Sequence, residues 1–379
     1  LASFAVAASA ADLPPAGAMQ AAFAAGDFTT AQSLADATLA ASPNDIPANL
    51  MESTLALYRN DMRAAEGYAS GVIAIDPKNA QALRNVALAA GRRDDADGTN
   101  IDMNGGYVRV PFVVTDPLPL VRVSVNNHPA LFFIDTGAGN TTLDPAFAAE
   151  AGVALSGATT GVFAGGQRAR VTHGTADTLS IGEVTLHAVA VDSLPTRSLP
   201  FFGERHADGV IGTRTLAHFL ATIDYAHGAL FLRPRSVQGS QAFERRAGAN
   251  AVPMIYAGDH FLFVRGRINA GPEGWFNLET GLAGGGVMPS RAAVTDSQIV
   301  LDTANAGTGT AAAGAVDVVP FTAAVTIGTR KVDGVRGLYT PGGDPYGIFP
   351  FPIRGGVSHG YFRKLSLTLD FDAMKAIIQ

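Results

Sequence analysis

An apolar strand that ends in an acidic residue, a threonine and a glycine is written twice in this chain. That duplication constrains the fold more than any other feature. The first copy is Phe133-Ile134-Asp135-Thr136-Gly137-Ala138, and the second, 144 residues on, is Asn277-Leu278-Glu279-Thr280-Gly281-Leu282. Pro145 and Pro289 stand at the same offset. Downstream, Gly209-Val210-Ile211-Gly212 leads to Phe219 and Thr222-Ile223-Asp224-Tyr225. Its counterpart, Gly355-Gly356-Val357-Ser358, leads to Leu365 and Thr368-Leu369-Asp370-Phe371, with Asp224 and Asp370 146 residues apart. A two-residue insertion between landmarks reconciles the offsets, so residues 107–240 and 241–379 read as two homologous lobes.

Within the lobes the hydrophobic period is two. Val121, Val123 and Val125 alternate with Arg122, Ser124 and Asn126, and Leu365, Leu367, Leu369 and Phe371 alternate with Ser366, Thr368 and Asp370. Such alternation predicts half-buried strands, and the unbroken apolar run Leu131 to Ile134 predicts a fully buried one. Charged residues make up only 16% of the chain, against about 25% in an average domain. With 43 Gly and 21 Pro, this suits many short strands joined by tight turns. The Ala-, Gly- and Thr-rich stretch from Asp302 to Ala315 reads as a flexible loop.

Ahead of the lobes the period is helical. Residues 13–93 carry apolar positions at helical spacing, such as Phe23, Phe28, Ala31, Leu34, Ala35 and Leu39, in an Ala-rich background. Here too there is an offset, of 34 residues: Asp27 meets Asp61, Phe28 meets Met62, Ala31 meets Ala65, Ala35 meets Ala69, Leu39 meets Ile73 and Pro43 meets Pro77. A helix-turn-helix repeat of that length resembles the tetratricopeptide family. In the second copy Asn60 replaces Gly26. Two repeats are few for an array that stands alone, so this one is expected to lean on its neighbour. Residues 94–106 read as a polar linker. The chain starts at Leu1, and its first ten residues, LASFAVAASA, end in an A-x-A cleavage pattern. Residues 1–12 therefore read as a signal-peptide remnant, with export to the periplasm or medium expected.

The acidic loops carry the chemistry. A strand burying Phe133 and Ile134 projects the Asp135 carboxylate at its end, Thr136 can lock the loop by hydrogen bonding, and Gly137 lets a second chain segment approach closely. Two such loops brought together would set two carboxylates about 3 Å apart, where they cannot both ionise and so share one proton. One can then take a proton from water while the other donates to a scissile carbonyl.

These residues, with Thr141 beyond them and Gly209-Val210-Ile211-Gly212 behind, resemble the aspartic peptidases, in particular bacterial retropepsin-like proteins in a tandem arrangement like that of pepsins. The resemblance implies a mainly β fold, two retropepsin-like acid-protease lobes preceded by the tetratricopeptide-like helices. It implies an aspartic endopeptidase with Asp135 and Glu279 as the catalytic pair. Thr136, Gly137, Thr280, Gly281 and Gly212 would support the loops, and a flap over the substrate would contain Phe163, Ala164, Gly165 and Gly166.

The second lobe departs from the pattern. Glu279 stands for Asp, Asn277 for a buried Phe, Ser358 for the downstream Gly, and Leu282 with Gly284-Gly285-Gly286 for Ala138 and Asn140-Thr141-Thr142. Three arrangements stay open: an Asp135–Glu279 dyad in one chain, an Asp135–Asp135 dyad in a homodimer of first lobes, or a relative that binds peptides without cutting them. The partner expected is a peptide or protein substrate, with a further protein contact through the helical segment.

Other classes are disfavoured. The net charge of −6 and the lack of any Lys/Arg block disfavour nucleic acid. Cysteine is absent, which excludes disulfides and a thiol nucleophile. The eight histidines show no ligand spacing, so neither a metal nor another cofactor is expected. No stretch reaches the length of a membrane span. Gly356-Val357-Ser358-His359-Gly360 matches the G-x-S-x-G elbow of serine hydrolases, but it falls inside a β repeat rather than on a strand-turn-helix of a parallel sheet. Asp224 and Asp370 read as turn or cap carboxylates, and Trp275 as core.

Overall fold

The computed structural model describes residues 15, 17–98, 100–162, 168–311, 314–343 and 346–379. The signal-peptide remnant lies outside the described residues. The chain divides into two compact units. One holds the residues up to Asp94 with Tyr256–Gly258 and Phe349–Pro352, and the other holds Asp95–Ile255, Asp259–Ile348 and Ile353–Gln379.

The first unit is built from α1 (Ala18–Ala24), α2 (Phe28–Ala41), α3 (Ile46–Tyr58), α4 (Met62–Ile75) and the part of α5 (Ala80–Gly98) that runs to Asp94. The 34-residue period holds in three dimensions. Asp27 caps α2 by accepting from the Thr30 N–H, and Asp61 caps α4 by accepting from Ala64. Asp45 and Asn79, also 34 apart, cap α3 and α5 through Ala48 and Ala82. Ala31, Ala35, Ala65 and Ala69 are fully buried, small enough for helices to approach closely. Gly26 and Asn60 both have positive φ, 75° and 58°. Asn is among the few residues that tolerate this conformation, which explains the replacement.

The two lobe-derived segments complete this unit. Phe351 enters an aromatic cluster with Phe23, Phe28 and Tyr58, its ring centroid 5.0 Å from that of Phe28. The buried Arg92 guanidinium donates to Leu57 O at 2.8 Å, to Tyr256 O at 3.0 Å and to Gly258 O, and lies 3.7 Å over the Tyr256 ring.

The stretch 94–106, read as a linker, is more ordered than its composition suggests. It holds the end of α5 and the strand β1 (Ile101–Met103). The first lobe continues with β2 (Val108–Val114), β3 (Leu120–Val125), β4 (His128–Ile134), β5 (Thr141–Leu143), α6 (Pro145–Glu150), β6 (Leu155–Val162), β7 (Arg168–Ile181), β8 (Val184–Ser193), β9 (Gly209–Ile211), α7 (Thr213–Ala217), β10 (Phe219–Asp224) and β11 (Ala229–Pro234). α8 (Val237–Ala247), which spans the expected 240/241 boundary, leads to the second lobe. That lobe holds β12 (Ala251–Ala257), β13 (Phe261–Ile268), β14 (Gly274–Leu278), β15 (Val287–Pro289), α9 (Arg291–Asp296), β16 (Gly307–Ala311), β17 (Gly314–Ile327), β18 (Arg330–Tyr339), β19 (Ile353–Val357), α10 (His359–Phe362), β20 (Ser366–Asp370) and β21 (Lys375–Ile378). β1 pairs with β8.

The lobes repeat one another element by element, and the fold is mainly β after a helical segment, as expected. Each lobe pairs its motif strand parallel with a later one: β4 with β9, β14 with β19. That later strand also pairs antiparallel with the strand following the motif, β5 in the first lobe and β15 in the second. The acidic loop therefore wraps the end of a strand that enters between its two arms. β2, β11, β10, β20, β21 and β12 form a six-stranded antiparallel sheet with three strands from each lobe. At its centre Thr222 faces Thr368, and their hydroxyls meet at 2.7 Å.

Three expectations need correction. The alternation in β20 does not make a half-exposed strand, because Thr368 and Asp370 are buried as well. Thr368 pairs with Thr222, and Asp370 accepts from the Asp372 and Ala373 N–H groups. Asp302 to Ala315 is not a loop throughout: Gly307↔Val318 to Ala311↔Gly314 pair β16 with β17 through backbone groups that small side chains leave free to meet. Pro145 and Pro289 are not equivalent either. Pro145 opens α6, whereas Pro289 ends β15, and it is Ser290 that caps α9 as Asp144 caps α6. The 146-residue offset is already in force at β15, so the two extra residues lie between Glu279 and Val287, in the run containing Gly284-Gly285-Gly286.

Candidate active site

β4 buries Phe132, Phe133 and Ile134 and releases the chain at Asp135, whose N–H still donates to Ile211 O at 3.1 Å. Glu279 leaves β14 in the same way, donating to Val357 O at 3.0 Å. The neighbouring threonines then interlock. The Thr136 hydroxyl donates to Leu278 O at 2.6 Å and accepts from the Thr280 N–H at 3.1 Å. The Thr280 hydroxyl donates to Ile134 O at 3.0 Å and accepts from the Thr136 N–H at 3.0 Å. Both threonines are fully buried, so four hydrogen bonds tie the two loops with no competition from water.

The glycines are where side chains could not stand. A β-carbon at Gly281 would lie 2.2 Å from Asp135 Cγ. One at Gly137 would lie 3.1 Å from Asp135 Oδ1 and 3.4 Å from Glu279 Cδ, so the two carboxyl groups converge on the same backbone position. Gly212 packs behind the loop, where a β-carbon would meet Asn140 O at 2.4 Å and Gly139 O at 2.5 Å. Thr213, next along, donates to Thr136 O at 2.8 Å.

The two carboxyls are unlike. Asp135 accepts the Gly137 N–H at 2.7 Å and is also bonded by the Gly281 N–H, and these favour its ionised form against the burial that raises its pKa. Glu279 has the Asn277 amide, at 3.4 Å from Oε2. Burial, and then the Asp135 charge, push the Glu279 carboxyl up to about 7. Burial thus raises both carboxyls, and the two titrate jointly as a coupled pair.

Three neighbours gave no clear signal in the sequence. Asn277 occupies the place of Phe133, two residues before Glu279 and so on the same side of β14, and its amide reaches Glu279 where Phe133 packs against apolar side chains. A polar residue in an otherwise apolar strand was the available clue. Tyr346 donates to Met288 O at 3.2 Å. A β-carbon at Gly356 would lie 2.6 Å from its hydroxyl and 3.2 Å from Glu279 Oε2. His260, in the turn between β12 and β13, reaches across to the first lobe: Nε2 is 2.9 Å from Gly137 O and Nδ1 2.8 Å from Asp259 Oδ1. Nothing in the spacing of the histidines singles it out.

Of the expected residues, Asp135, Glu279, Thr136, Thr280, Gly137 and Gly281 thus come together, with Gly212 behind Asp135's loop. The flap residues Phe163, Ala164, Gly165 and Gly166 lie outside the described residues. The strands on either side pair out to Val162↔Arg168. Ser358 is no exposed nucleophile: its buried hydroxyl accepts from the Leu282 N–H at 3.1 Å and lies 3.3 Å from Leu282 O. Trp275 is core, and Asp224 caps its turn through the His227 N–H. Among the described residues no helix is long and apolar enough to cross a membrane.

The loop, the strand that supports it and the start of α7 are the part of the chain that a known family recognises. Residues 121–215 match the aspartyl protease family. The aspartyl protease match includes Asp135, Thr136, Gly137 and Gly212 and ends before the second lobe, so Glu279 lies outside it. Among solved structures, a retropepsin-like aspartic protease from Rickettsia conorii is similar at 19% identity, over 36% of this chain and 92% of its own, with a TM-score of 0.25. An aspartic proteinase from Irpex lacteus is similar at 12% identity, over 72% of this chain and 96% of its own, with a TM-score of 0.44. No curated protein matches the chain.

Proposed function

We propose that the protein is an aspartic endopeptidase that works as a single chain, with Asp135 and Glu279 as its dyad. The observation that carries this reading is the convergence of the two unlike carboxyls at Gly137, braced by the reciprocal Thr136–Thr280 bonds. Ionised Asp135 takes a proton from the attacking water while Glu279, as the acid, donates its proton to the carbonyl oxygen of the scissile amide. The tetrahedral diol then collapses as a proton passes to the leaving nitrogen. The intrachain threonine grip favours this arrangement over pairing of two first lobes, since each threonine already has its partner. An extended peptide is the expected substrate, held by added strand pairing.

Binding without cleavage is the second reading. Glu279 reaches further than Asp would, and a shift near 1 Å can reduce a rate about 10²-fold. Export, inferred from the first ten residues, and recruitment of a protein through the helical repeats belong to the same proposal.

The test is cleavage of a diverse peptide mixture from pH 3 to 8, read by mass spectrometry, for wild type, Asp135→Asn and Glu279→Gln. Loss in both variants is expected. Loss in Asp135→Asn alone would point to first-lobe pairing between chains. No cleavage by folded wild type at any pH would leave peptide binding as the function.

A further inference from the structure

His260 stands between two acceptors. The Gly137 carbonyl can only accept, and so can the Asp259 carboxylate, yet each lies within hydrogen-bond distance of a different nitrogen of one imidazole ring. A neutral imidazole has one N–H and one lone pair. The ring therefore makes both bonds only as the imidazolium. Its side chain is 14% exposed, so the charge is held largely away from water. It is also held on the residue whose N–H binds Asp135 Oδ1.

The contrast within the molecule is informative. In the first lobe the turn between β2 and β3 carries Asp116, which pairs with His359 of the other lobe, Nε2 to Oδ1 at 2.7 Å. His359 Nδ1 has no hydrogen-bond partner, so that ring needs one proton only, and Arg363 already supplies a cation to Asp116.

We propose that His260, as an imidazolium, clamps the Asp135 loop to the second lobe and sets the pH range over which the Asp135–Glu279 pair holds its single proton. The charged groups that bear on the ring are Asp259 beside it and the two dyad carboxyls, and Arg214 acts on it through Asp259. A cation here favours the ionised form of both dyad carboxyls, opposing the burial that disfavours it. The consequence for cleavage rests on the dyad reading above, whereas the double bonding of the ring rests on its two acceptors.

The experiment is an NMR titration of the full chain, carboxyl carbons labelled, in wild type, His260→Gln and His260→Lys, with Asp135→Asn and Glu279→Gln assigning the signals. In His260→Gln, which keeps one donor for Gly137 O, both dyad titrations are expected to move about half to one pH unit higher. In His260→Lys, which keeps the charge, they should stay near wild type. In wild type, ring N–H signals from both Nδ1 and Nε2 of His260 are expected while the dyad holds its proton. A Gln variant that titrates as wild type would overturn the proposal, as would a single ring N–H or a Lys variant displaced as far as Gln. If the carboxyl shifts appear but folded wild type cleaves no peptide, the peptidase reading fails and the assignment of His260 stands.

Discussion

Replacing Glu279 by Gln should make the protein more stable, and only above a certain pH. Burial and the neighbouring Asp135 charge raise the Glu279 carboxyl from 4.5 to about 7. Below pH 4.5 the group is protonated in the folded and unfolded chain alike, and stability is undiminished. As the pH rises from 4.5 to 7 the unfolded chain releases a proton that the folded chain retains, so stability falls, and above 7 the fold must hold a second charge beside Asp135. At about 1.4 kcal/mol per pH unit the loss reaches about 3 kcal/mol, an upper figure because Glu279 is part-buried rather than fully enclosed. Gln copies the shape of the protonated acid and has nothing to ionise. Urea denaturation of wild type and Glu279→Gln at pH 4, 6 and 8 reports this contribution together with its coupling to Asp135, since groups not coupled to Glu279 cancel in the difference. The variants should match at pH 4, and the Gln variant should gain up to about 3 kcal/mol by pH 8. A difference that stays flat with pH would refute the reasoning, because it would mean that Glu279 is neither desolvated nor beside a charge.

Two further outcomes follow from the geometry of the loops. Thr136→Val keeps the shape but removes the donor to Leu278 O and the acceptor for Thr280 N–H, leaving two buried groups unpaired; a loss of about 2–4 kcal/mol is expected in denaturant unfolding. Gly281→Ala should be far more harmful to cleavage than Gly137→Ala. Its β-carbon would stand 2.2 Å from Asp135 Cγ, whereas the one at Gly137 would meet Glu279 Cγ at 3.0 Å, a far milder overlap and on a side chain one rotatable bond longer. Steady-state kinetics should show at least about 10² in kcat/KM for the first and much less for the second.

The sequence disclosed the parts of this protein that repeat. Period two in Val121 to Val125 and the 34-residue spacing of Asp27 and Asp61 each reflect a local rule, a pleat or a helix cap, and both reappear in the structure. Asp135, Thr136 and Gly137 were legible for the same reason, being consecutive and delivered by one buried strand. What escaped was what depends on the other lobe. His260 reaches Gly137 only because a turn of the second lobe crosses to the first, a pairing 123 residues apart that no spacing rule anticipates. The strand β16 escaped because its pairing is made by backbone, while its Ala, Gly and Thr side chains carry no alternation.

The departures of the second lobe, taken one at a time, look like decay, but they fit one another. In the first lobe Gly212 is pressed against the Gly139 and Asn140 carbonyls, and any side chain there would collide with backbone. The second-lobe loop is two residues longer, and Ser358 stands in the equivalent place, with its hydroxyl satisfied by the Leu282 N–H. The longer loop thus removes the need for glycine. Likewise, Glu279 extends past the point where an Asp carboxyl would end, and Asn277, in place of Phe133, turns an amide toward Oε2 there. An apolar side chain at 277 would leave that oxygen one donor fewer, and Asp at 279 would leave the amide without its carboxylate. The longer acid and its amide form a matched pair, so exchanging either alone should damage the site more than exchanging both. The double variant Glu279→Asp/Asn277→Phe, which rebuilds the first-lobe pattern, should bind and cleave peptide better than Glu279→Asp alone. A double variant worse than the single one by the full effect of Asn277→Phe would show that the two positions act independently.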